Sequence, residues 1–139
     1  MPGSLIISDA ARTTAGILLL TIVLVEFGGW YVLQVVRRRV ELTGFQQAFA
    51  RAGHAHAGVL VILALVVQLF ADAAGGTGLL ATLGRSGVPL AAILMPTGFF
   101  LSSMGAGRTA PNRFVWLVYA GAISLAVGAV TLGIDLLMG

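Results

Sequence analysis

Two histidines and one glutamate are the residues of this chain best suited to chemistry. His54 and His56 open the apolar run "RAGHAHAGVLVILALVVQLF", and Glu26 interrupts another, "TAGILLLTIVLVEFGGWYVLQVV". Imidazole binds transition metals and haem and exchanges protons near neutral pH. A carboxyl group in hydrocarbon is costly, and it marks a proton or cation site by default. At about 100° per helical residue, His54 shares a face with Gly58, Val61, Leu65, Gln68 and Asp72. His56 lies about 200° away, in line with Val59, Leu63, Val67 and Phe70. Helical ligand pairs stand at i,i+3 or i,i+4, so an i,i+2 pair cannot chelate one ion. A metal clamp made by His54 and His56 would need the helix unwound there, which Gly53 allows. His54, sharing its face with Gln68, is therefore expected to point inward.

Glu26 stands ten residues before Val36, about 15 Å along a helix and near the middle of a hydrocarbon core about 30 Å thick. Trp30 and Gln34 follow at helical spacing, so a polar-tinged stripe runs from Glu26 toward the nearer membrane edge. Glu26, His54, Gln34 and Trp30 are the expected proton- or ligand-binding residues. His54 and His56 are the candidate metal ligands, with haem or a transition metal as the possible cofactor. With Arg51 taken as the membrane boundary, His54 lies about 5 Å deep, roughly 10 Å from the level of Glu26. That offset suits a graded, water-filled half-channel better than one shared ligand. The structural alternative for Glu26 is a protonated acid hydrogen-bonded across the bundle.

The elements that must position these groups are membrane helices. Of 139 residues, 58% are hydrophobic and only 9% charged, too little charge to cover a soluble surface. Four apolar spans are expected, at about 14–36, 54–74, 88–104 and 114–138, as a single four-helix transmembrane bundle. The fold class is all-α and polytopic. "TGFQ" puts Thr43 and Gln46 in a capping box, so the second helix should start ahead of its span. Its first turns would lie at the interface, with Phe45 and Phe49 toward lipid and Gln46, Gln47 and Arg51 toward water. "AGGTGLLATLGRSG" reads as the turn before span three, in which Pro96 should introduce a kink. Gly121, Ser124, Gly128 and Thr131 form a small-residue face on span four, expected to be a helix-packing seam within the bundle or with a second copy.

All eight basic residues are arginine. Six flank loops one and three, and two lie at the N-terminal tail and loop two, so both termini are expected outside the cytoplasm. The net charge of +3 comes from these loop arginines and forms no aromatic-interleaved basic face, so nucleic acid is not an expected partner. The absence of cysteine excludes thiol chemistry and disulfides. "MPGSLIISDAARTT" lacks the basic region and small-residue cleavage site of a secretory signal. Asp72 and Asp135 fall at helix ends, where hydration or local pairing accounts for them, and Ser102 and Ser103 more often bond back to their own helix.

A histidine pair opening a membrane helix resembles the haem- and copper-bearing helices of respiratory oxidases, which carry more histidines than the two here. A glutamate in the middle of the first of four short spans is similar to the small multidrug resistance transporters, a likeness confined to "VEFGG". Each covers a few residues and assigns no family. The leading expectation is a small cell-membrane protein whose carboxylate and histidine site binds a proton, cation, metal or haem, as in a proton-coupled transporter. Behind it stand a non-catalytic accessory subunit of a larger membrane complex and a membrane enzyme acting on a lipophilic substrate. The expected partners are the bilayer and either a homo-oligomer or a larger membrane protein.

Overall fold

The computed structural model describes residues 7–138; the reading of the first residues as lacking a secretory signal lies partly outside them. Four helices follow in order: α1 (Asp9–Val36), α2 (Gly44–Ala74), α3 (Gly78–Ser103) and, after a single 3-10 turn (Arg113–Val115), α4 (Trp116–Met138). All four are long and apolar enough to cross a bilayer, which makes this a multi-pass membrane protein. In hydrocarbon the backbone must satisfy its own hydrogen bonds, so each apolar run closes into a helix.

The ends of the helices are set by particular side chains. Ser8 caps α1, its hydroxyl accepting from the Ala11 amide at 3.1 Å. The capping box forms at α2: Thr43 Oγ1 accepts from the Gln46 amide at 3.2 Å, and Gln46 Oε1 accepts from the Thr43 amide at 3.2 Å. Gln46 does not face water as its position suggested. It is 7% exposed, and its Nε2 donates to the Ser103 carbonyl at 3.0 Å and the Gly105 carbonyl at 2.7 Å. One amide thus caps the start of α2 and the end of α3 together. Phe49 likewise turns toward the bundle, with its ring edge-on to Phe99 at 5.4 Å. Gln46→Leu keeps the volume and strands two carbonyls, so unfolding in detergent followed by circular dichroism should show a loss of about 2 kcal/mol. An unchanged transition would mean that water replaces the amide.

Helix α3 starts at Gly78, ten residues before the expected span. The expected turn is confined to Gly75, Gly76 and Thr77, with Gly75 as the left-handed cap of α2, whereas Gly84 and Gly87 of the same stretch lie inside α3 and serve packing. Gly84 abuts Leu132, Gly87 abuts Gly128 and Gly98 abuts Val118, so α3 and α4 run backbone against backbone. On α4, Gly121 and Gly128 lie in this seam, and Ser124 Oγ donates to the Gly87 carbonyl at 2.8 Å. Thr131 bonds back to Val127 of its own helix at 2.7 Å. Pro89 has no N–H to give the Arg85 carbonyl, four residues earlier. The side chain of Gln68 in α2 supplies that bond instead at 3.0 Å.

Helix α2 packs against α3 and α3 against α4, while α1 has one extensive neighbour, α2. At one end of the bundle Ser8 and Arg85 both bond Asp72, and Asp135 lies against Gly76. At the other end Thr43 and Gln46 bond the segment that closes α3. Because α1 leans on α2 alone, it stands off from α3 and leaves an opening between them.

Candidate functional site: an apolar cleft with one imidazole

That opening is a cleft of about 640 Å3 between α1 and α3, floored by α2. Leu18, Thr21 and Val25 form one wall and Pro96, Thr97 and Phe100 the other. On α1 it extends from Thr14 to Gly28, about 21 Å at the helical rise. Its length therefore lies along the helices, across the bilayer. His54 is the one ionisable side chain in its lining.

The position of His54 follows from a glycine pair. Its ring lies on Gly28 and Gly29 of α1; a Cβ at Gly29 would stand 3.1 Å from its Cε1, and one at Gly28 3.5 Å from its Nδ1. An added Cβ would be in ordinary contact at Gly28, whereas at Gly29 it would make the ring or α1 give way by a few tenths of an ångström. His54 Nδ1 is buried and has no hydrogen-bond partner among the described residues. Leaving such a group unpaired costs about 1–3 kcal/mol, so a ligand group that bonds it gains affinity. A neutral imidazole can donate through one nitrogen and accept through the other, which suits a carbonyl or a hydroxyl.

His56 is placed differently. Its Nδ1 lies 2.7 Å from the Ala52 carbonyl in its own helix, and its ring packs on Phe99 of α3 at 5.0 Å between centroids. Helix α2 continues unbroken through Gly53, which is packed against Phe99 and Phe100. The two imidazoles therefore face different helices. Among the described residues no group of three or more His, Asp or Glu side chains is close enough to hold a metal ion.

The remaining site residues divide between two surfaces. Glu26 is exposed on the outer side of α1, and Trp30 beside it is 55% exposed and stacked on Phe27 at 5.5 Å. Gln34 turns in at the end of the helix, 9% exposed, with its Oε1 accepting from Arg39 at 3.4 Å. Glu26 and His54 do not share the cleft. Their separation along the axis is nevertheless small, because His54 meets α1 at Gly28 and Gly29, about 4 Å from the level of Glu26. The larger offset expected from sequence took Arg51 as the boundary, whereas α2 begins at Gly44 and sets His54 ten residues, about 15 Å, from its end. Arg51 itself is exposed and reaches back to Gln47 at 3.2 Å.

What sequence reasoning missed were the α3 wall residues, Pro96, Thr97 and Phe100, and the glycine socket. The signal for the socket was "FGGW", since adjacent glycines in the middle of a span mark a close approach of another helix. A carboxyl on the outer face of a membrane-spanning helix carries an insertion cost of up to about 3 kcal/mol unless another group covers it. Compared with known protein families, curated proteins and solved structures, the chain has no significant match.

Proposed function

We propose that this is a cell-membrane protein that takes a lipophilic molecule from the bilayer into the α1–α2–α3 cleft and holds its polar end at His54. The observation that carries this reading is an apolar cleft with a single ionisable side chain, whose Nδ1 has no protein partner. A single imidazole facing an apolar cleft is in keeping with small proton-linked carriers, as the sequence led us to expect. The acid–base enzyme reading has less support, because His54 has no carboxyl group beside it in the cleft. An accessory-subunit role is favoured by a separate observation, the single neighbour of α1 within the chain.

The test is photolabelling of the reconstituted protein with a diazirine-bearing palmitate, read by peptide mass spectrometry. Labelling should fall on α1 and α3 residues of the cleft. Thr97→Trp, which fills it, should cut the yield at least fivefold. His54→Ala should weaken retention up to about tenfold, the value of one hydrogen bond. Labelling spread evenly over all outer faces, indifferent to Thr97→Trp, would sink the reading. A stoichiometric visible chromophore or metal in the purified protein, lost in His54→Ala, would reassign His54 to a cofactor.

A further inference from the structure

We propose that the outer face of α1 is the contact between two copies of this chain, with Glu26 meeting its own counterpart across a two-fold axis along the bilayer normal. This does not rest on the cleft reading, because the face lies on the other side of α1.

Three observations converge on it. The first is spacing: Leu19, Ile22, Glu26, Trp30 and Leu33 recur at intervals of three and four residues, the period of a helix seam. All five are exposed, and their neighbours in the stripe are apolar apart from Glu26. The second is the packing of α1, which lies at the edge of the bundle with one extensive neighbour, α2, whereas α2 and α3 each have two. The third is the carboxyl group itself, which stands at midplane depth where lipid tails offer it no hydrogen bond.

The identity of the occupant follows from symmetry and from the chemistry of the acid. Copies inserted in the same orientation are related by an axis along the normal, so each residue near that axis meets itself at its own depth. Carboxyl groups brought together cannot both ionise, and they share a proton in a hydrogen bond. Glu26 is thus self-complementary. On α1 the arginines are remote from it: Arg12 lies fourteen residues before it and Arg37 eleven after, so the same face of a second copy brings no counter-ion to that level. A lone polar residue in an apolar seam also fixes register and the number of helices, as a buried asparagine does in coiled coils.

The absence of cysteine makes the test direct, since an introduced thiol has no partner within its own chain and a cross-linked species of twice the chain mass reports a pair of copies. Ile22→Cys places a thiol in the seam; Val130→Cys places one on the exposed face of α4, where the side chain is 59% exposed. Oxidation in native membranes should give at least fivefold more disulfide-linked dimer from Ile22→Cys. Adding Glu26→Leu to Ile22→Cys should cut that yield at least fivefold. Glu26→Gln, whose amide both donates and accepts, should keep it within twofold. Gel filtration of each variant reports whether it is folded, and light scattering of the wild type should give the mass of two chains. Equal cross-linking at the two positions, an unchanged yield in Glu26→Leu, a wild-type monomer, or a different protein bound in stoichiometric amount on this face would each overturn the proposal.

Discussion

Gly87→Ala should destabilise the bundle by about 2 kcal/mol, and Gly87→Leu by more, because the added atoms meet backbone. A Cβ at Gly87 would stand 2.5 Å from the Cα of Gly128, 2.7 Å from the Ser124 carbonyl oxygen and 2.8 Å from the Gly128 amide nitrogen. None of these can rotate away, so α3 and α4 must separate. Between membrane helices the solvent is itself apolar, and close dispersion contact holds them together. Separation loses that contact along the whole seam, together with the Ser124–Gly87 hydrogen bond. Gly133→Ala is the internal control, because no atom lies within 4 Å of its Cβ position. There the gain in helix propensity leaves stability unchanged or raised by up to about 1 kcal/mol. Unfolding in mixed micelles, followed by circular dichroism, separates the two. If Gly87→Ala and Gly133→Ala unfold alike, the seam is not tight.

The contrast shows what the amino-acid sequence could and could not tell. The four spans were legible because apolar runs of that length have one solution in lipid. The capping box of Thr43 and Gln46 was legible because its residues and spacing carry their own mechanism. The start of α3 was not. Gly84 and Gly87 look like turn residues until α4 is placed against them. The direction of Glu26 was hidden for a similar reason, since α1 is apolar on all sides and its pattern does not say where α2 lies. The differing directions of His54 and His56 followed from periodicity alone, whereas the depth of His54 depended on where α2 begins. Exposed arginine marked that boundary poorly, because a long side chain reaches back along the helix to the interface.

Asp72→Ala should cost about 2–3 kcal/mol and loosen α1 before the rest of the bundle. The Asp72 carboxylate accepts from the Ser8 amide at 2.8 Å, the Ser8 hydroxyl at 2.7 Å and Arg85 Nη2 at 2.6 Å. A carboxylate near the end of α2 is misplaced with respect to that helix's own dipole. It is well placed for the start of α1, whose cap it holds, and for Arg85 of α3. Its side chain is 15% exposed and that of Arg85 26%, so the penalty for breaking the pair falls below that of a fully buried one. Among the described residues Asp72 is the one side chain that Arg85 bonds, and Arg85 Nη1 is already buried without a partner. Asp72→Asn, which keeps one of the two acceptor oxygens used by Ser8 and loses the charge, should fall between wild type and alanine. Arg85→Leu in the Asp72→Ala background should recover part of the loss, because the stranded guanidinium is then gone. Hydrogen exchange of the first turns of α1 should rise in Asp72→Ala ahead of any change in α3 or α4. Strict additivity of the two substitutions, or unaltered exchange in α1, would mean that the three helices are joined at this end by packing alone.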